Sequence, residues 1–151
     1  LDPQARLHVW ELVEQFKAQG GTVILTTHYM EEAARLCDRV AIVDHGRIIA
    51  QDTPAALLAS LGASQIVTFT VDGDPGDGVL AENALAALPG VRAVSRQNAA
   101  WVLSVDQAGA TLPAIIALLE SRGLRMDSLS THQATLEDVF VHHTGRALRD
   151  G

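Results

Sequence analysis

Apolar residues recur at helical spacing over Val9, Leu12, Val13 and Phe16, between an Asp2-Pro3 start signal and a Gly20-Gly21 stop, and predict a first helix. Residues 22–27 are β-branched and apolar on both faces, which predicts a short central parallel strand covered by helices on each side. Met30, Ala33, Ala34 and Cys37 mark a second amphipathic helix. Residues 40–44 and 47–50 flank His45-Gly46 and read as two strands joined by a tight turn. Thr53 then caps a helix with Pro54 at its first position, and Gly62 stops it after Leu57, Leu58 and Leu61.

From about Gln65 the texture changes. Residues 66–71 alternate as a strand does, and Gly73-Asp74-Pro75-Gly76-Asp77-Gly78 is a loop. Ala81, Ala84, Leu85 and Leu88 make a helix ended by Pro89-Gly90, and residues 91–96 and 100–105 form a hairpin. A helix over 110–122, stopped by Gly123, and a last strand over 124–130 complete a β-α-β-β-α-β order that matches the ferredoxin-like motif. A boundary near Ala63 divides the chain into residues 1–62, of α/β type, and an α+β unit over residues 63–151. The tail from Thr135 reads as a capped helix with an acidic first turn and Gly145 past its end.

Composition narrows the function classes. About half of the 151 residues are apolar and 19% are charged, a globular balance with room for a sizeable core. The net charge of −7, with eleven scattered basic residues, disfavours nucleic acid, whose phosphates need clustered Lys and Arg. Purely apolar runs such as 40–43 and 114–119 fall far short of the ~18 residues that cross a bilayer, so any membrane role is expected to pass through a partner and not through direct insertion. A lone Cys37 cannot form an internal disulfide and fits a cytosolic setting. The chain opens on Leu1-Asp2-Pro3 without Met, directly into a helical pattern, and is expected to be a piece of something longer.

Candidate chemistry centres on His28, placed between the expected parallel strand and a helix. Ligands of open α/β sheets bind beyond the carboxyl ends of the strands, and an imidazole there can bond a phosphate oxygen. Read from the residues alone, a histidine that caps the following helix or packs in a loop explains the position equally well. His132, His142 and His143 are not expected to bind metal, because adjacent helical histidines point about 100° apart and no Cys or carboxylate set completes a shell. Asp72, Asp74 and Asp77 depart from calcium-loop spacing and read as an acidic turn. Trp10 and Trp101 read as packing residues, on a helix face and an alternating strand.

The segment Ile24-Leu25-Thr26-Thr27-His28-Tyr29-Met30-Glu31-Glu32-Ala33 resembles the switch (H-loop) region of ABC ATPases. Leu1-Asp2-Pro3 resembles the end of the family's D-loop, and the helix through Trp10 and Phe16 takes the next place. Asp38-Arg39-Val40-Ala41-Ile42-Val43 with Gly46-Arg47-Ile48 resembles the hairpin after the switch. Leu136-Glu137-Asp138-Val139-Phe140 is similar to a stretch in the closing helix of the ATPase subunits of type 2 exporters. The resemblance implies an α/β architecture: the C-terminal remnant of a P-loop ABC ATPase domain (1–62), then a small ferredoxin-like accessory domain with a C-terminal helix (63–151).

By the same resemblance His28 is the catalytic switch histidine that contacts the ATP γ-phosphate, and Asp2 is the D-loop aspartate that acts across the dimer interface. The full-length parent would use ATP and Mg²⁺ and hydrolyse ATP to drive export. Its partners would be a membrane permease subunit and a second ATPase subunit, as a homodimer, on the inner face of the cell membrane. The family's Walker A lysine, Q-loop, signature motif and Walker B acid precede the D-loop. No G-x-x-x-x-G-K-[ST] occurs in this sequence, so the chain alone is expected to be inactive. Two other readings stand beside this one: a freestanding regulatory or dimerisation module without ATPase activity, and a soluble ABC protein of ribosomes or DNA repair. The acidic charge and the exporter-like tail disfavour the last.

Overall fold

A computed structural model describes residues 2–72 and 82–145, which hold a mixed α/β arrangement of two antiparallel sheets and six helices. Helix α1 (Pro3–Ala18) starts where expected, because the Asp2 carboxylate accepts the Ala5 N–H at 2.8 Å and Pro3 has no N–H to leave unpaired. Helix α2 (Met30–Leu36) follows, then strands β1 (Val40–Asp44) and β2 (Arg47–Asp52). The turn between them needs positive φ at two successive residues, and His45 (48°) and Gly46 (73°) supply it. Thr53 caps helix α3 (Pro54–Ala59) by accepting from Ala56 N–H at 3.1 Å.

The second sheet contains β3 (Gln65–Asp72), β4 (Val91–Gln97), β5 (Ala100–Val105) and β6 (Arg125–Gln133), in the order β4-β5-β3-β6 with every neighbour antiparallel. Helices α4 (Glu82–Ala86) and α5 (Ala108–Ser121) cover one face. Alternation turns Val67 and Phe69 of β3 toward them, beside their cross-strand partners Leu103 and Trp101, where they meet Leu85, Ile115 and Leu119. The predicted loop at 73–78, with Asp74 and Asp77, lies outside the described residues.

Two expectations change. Residues 22–27 belong to neither sheet and pair with no strand of the described residues, and Ile24 is 93% exposed. The apolar stripe of α1 also faces outward: Leu12 and Phe16 are about half exposed and Val9 nearly so, while Trp10 is the residue that is buried. In this chain the interior side of α1 carries Trp10, with the part-buried Arg6, Val13 and Lys17 beside it.

The tail forms helix α6 (Leu136–Thr144), opened by a capping box between Thr135 and Asp138 and closed by Gly145 at φ 74°. This helix does not join the core of the four-stranded sheet. Leu136, Val139 and Phe140 pack with Ala33, Val40, Ile42, Leu57 and Leu61, so a second core is assembled from both ends of the chain.

Candidate functional site

The site is built on the face of α1 that carries Arg6, Trp10, Glu14 and Lys17. Spacings of four, four and three residues put all four on one side of the helix, and each meets a partner in order along the chain. The Arg6 guanidinium lies 4.2 Å from the Tyr29 ring centroid, and Trp10 Nε1–H donates to Glu32 Oε2 at 2.6 Å. Glu14 pairs with Arg35 at 3.6 Å. Lys17 donates to the Leu36 carbonyl at 2.6 Å and lies 3.3 Å from Asp38. Helix α2 is thereby laid alongside α1, and the short segment before it, which contains His28, is carried with it.

His28 lines a cleft of about 580 Å³ whose walls are Arg6 and Trp10 of α1, residues 28–32, Leu58 of α3, and the start of α6 from Ala134 to Glu137. This differs from the expected setting at the carboxyl end of a parallel strand. The His28 ring is exposed and stacks on Tyr29, with centroids 4.3 Å apart, and the Tyr29 N–H donates to Thr27 Oγ1 at 2.9 Å. Asp2 does not line this cleft; its carboxylate is engaged in the cap of α1, and its carbonyl accepts the Arg6 N–H at 3.0 Å.

What the cleft can hold follows from its donors. His28 and Arg6 can each donate to an anionic oxygen, and they share the cleft with the carboxylates of Glu31, Glu32 and Glu137, which repel one. No G-x-x-x-x-G-K-[ST] string, the pattern of a glycine-rich phosphate cradle, occurs in this sequence. Among the described residues no group of three His, Cys, Asp or Glu could hold a metal ion, and no helix is long and apolar enough to cross a membrane.

The tail helix borders the His28 cleft, a contact that no local motif of the sequence states. The signal was there in Leu136, Val139 and Phe140, an i, i+3, i+4 stripe that requires a partner surface. His132, at the end of β6, ties the sheet to the tail: Nε2 lies 3.0 and 3.1 Å from the two Asp138 oxygens, and Asp138 also accepts the Thr135 N–H at 2.8 Å. On the other side of this corner a cleft of about 430 Å³ separates α6 from the face of the sheet that bears Thr68, Val102 and His132. Cys37 is half-buried, and burial pushes its thiol pKa up while nearby Lys17 opposes the shift.

Residues 53–144 match the family described as "ATP-binding protein DrrA1-3-like, C-terminal domain". The chain is 35% identical to the linearmycin resistance ATP-binding protein LnrL of Bacillus subtilis, over 99% of its own length and 48% of that protein's. It is 36% identical to the daunorubicin resistance ATP-binding protein DrrA3 of Streptomyces coeruleorubidus, over 96% of the chain and 45% of the relative. Identity to the Nod factor export ATP-binding protein I of Paraburkholderia xenovorans is 37%, over 99% and 45% respectively. The chain thus spans just under half the length of the curated relatives it matches.

Proposed function

Because the chain belongs to the family of DrrA1-3-like ATP-binding protein C-terminal domains, we propose that it forms part of the ATP-binding subunit of an ABC exporter. The observation that carries this is the alignment of nearly the whole chain with resistance and export ATP-binding proteins. In this reading His28 contacts the γ-phosphate of ATP and Asp2 acts across the interface with a second ATPase subunit. ATP and Mg²⁺ are bound mainly by parts of the subunit outside this chain, and a membrane permease is the other partner. The subunit then sits on the cytoplasmic face of the membrane, and the exposed stripe of Val9, Leu12 and Phe16 is covered by the remainder of the ATPase domain.

The domain division belongs to the same proposal: residues 1–62 complete the ATPase domain, and residues 63–151 form the accessory domain with its closing helix. Support for a ferredoxin-like accessory fold comes from the β-α-β-β-α-β order of β3 to β6 and the sheet order β4-β5-β3-β6. The test is nucleotide titration of the purified chain beside the full-length subunit. The subunit is expected to bind and hydrolyse MgATP and the chain alone to do neither; micromolar binding by the chain alone would overturn this placement of the site. In the subunit, His28→Ala is expected to lower turnover about ten- to a hundredfold, the value of one charge-assisted hydrogen bond. Unchanged turnover would reduce His28 to a packing residue.

A further inference from the structure

We propose that Tyr29 is a positioning residue for His28: its ring sets the direction of the imidazole, and Arg6 sets the ring. The inference rests on the reading of His28 as a phosphate-contacting histidine. It starts from an exposed imidazole beside a segment outside both sheets, which with no neighbour would sample all of its staggered rotamers. A single aromatic contact holds it, at 4.3 Å between centroids and 31° between planes.

Tyr29 is itself 42% exposed and owes its own orientation to two anchors. Its N–H is bonded to Thr27 Oγ1, and the Arg6 guanidinium lies against its ring. A cation over a π face is attracted by the ring quadrupole, and this contact survives loss of the phenolic hydroxyl. Arg6 in turn bonds the Asp2 carbonyl through its N–H, at the capped first turn of α1. Asp2 and His28, far apart in sequence and not on one cleft, are therefore joined through Arg6 and Tyr29, and a shift of the first turn of α1 is passed to the imidazole through two ring contacts.

The experiment follows the His28 ring by NMR in this chain, with the resonances assigned by their loss in His28→Gln. Tyr29→Leu and Arg6→Gln are expected to remove the ring-current displacement of the His28 signals, and Tyr29→Phe to retain it. Unaltered His28 signals in Tyr29→Leu would overturn the proposal whatever the nucleotide chemistry. In the full-length subunit Tyr29→Leu is expected to lower kcat about three- to tenfold at unchanged KM for MgATP, with Tyr29→Phe restoring it. If His28→Ala lowers turnover and Tyr29→Leu does not, the positioning role is wrong. If Tyr29→Leu moves the His28 signals while His28→Ala leaves turnover intact, the ring contact stands and the phosphate-contact reading of His28 is what fails.

Discussion

Trp10 and Glu32 share a 2.6 Å hydrogen bond between the indole N–H and a carboxylate oxygen, and this bond fixes helix α2 against a helix whose apolar stripe faces away from it. Burial of Trp10 is complete enough that its N–H has to find an acceptor, and Glu32 is the acceptor within reach. Trp10→Phe keeps an aromatic ring but removes the donor and part of the buried ring surface. The expected loss is about 1–3 kcal/mol in the stability of the α1–α2 pair, because the part-buried Glu32 carboxylate is left without its partner. Glu32→Gln keeps an acceptor and should cost less. Urea unfolding of the two variants checks the order; equal losses would show that the ring packing, not the bond, is what matters.

Helix α6 should stabilise the first half of the chain more than the sheet it follows. Leu136 and Val139 are buried among Ala33, Ile42, Leu57 and Leu61. Leu136→Ala is expected to cost about 2–5 kcal/mol, the usual range for a buried leucine. Hydrogen exchange gives the location: faster exchange in β1 and α3 with β3 and β5 unchanged is the expected pattern. An effect confined to β3 and β5 would place α6 in the wrong core.

Exchange in the unaltered chain should also separate two segments that look alike in sequence. Residues 22–27 and 66–71 are both rich in β-branched and apolar residues. The second is a central strand bonded on both sides, whereas the first lies outside both sheets. Amides of 66–71 are expected to be strongly protected and those of 22–27 to exchange near the rate of an open chain. The reverse order would mean that residues 22–27 find a sheet in solution.

That contrast shows what could be read beforehand. Caps and turns were legible because their causes are local: Asp2, Thr53 and Thr135 accept or close bonds within three residues, and His45-Gly46 needs only its own φ angles. Helix α5 was legible too, since Gly123 stops it locally, and its Ile115 and Leu119 pack on strands of the same unit. The outward stripe of α1 and the unpaired 22–27 segment were not, because their pattern states that a surface is apolar without stating what covers it. The position of His28 inherits that uncertainty: the residue was found from its flanks, but its neighbours Glu137 and Leu136 come from the far end of the chain.

Gly90 closes α4 onto β4 at φ 79°, and its carbonyl accepts the Asp106 N–H at 3.0 Å. A Cβ there would sit 3.2 Å from Thr111 Oγ1, which is itself bonded to the Pro89 carbonyl at 3.1 Å. Gly90→Ala is expected to destabilise the sheet by about 1–2 kcal/mol from the left-handed backbone alone. The Thr111 contact should add to that. Thermal unfolding with no change in midpoint would show that this turn relaxes freely.

The pH dependence of stability should carry a contribution from the Arg92–Asp106 pair, which links β4 to the end of β5. Arg92 Nε and Nη2 both reach the Asp106 carboxylate, at 2.8 to 3.2 Å, and this hydrogen bonding holds the Asp106 carboxyl below its usual pKa. A depressed folded-state pKa means that between the folded and unfolded values the unfolded chain binds more protons. Stability therefore rises with pH through that interval, is fully present above the unfolded pKa of about 3.9, and is lost as pH falls through the folded value. Asp106→Asn removes the titration while sparing the backbone bonds made by residue 106. The stability difference between the native chain and Asp106→Asn is expected to be constant near neutral pH, to shrink as pH drops below about 4, and to be smaller in 1 M salt because both groups are exposed. Denaturant midpoints measured from pH 6 downward decide it: a difference that stays constant to the acid limit would mean that the pair is not held in solution.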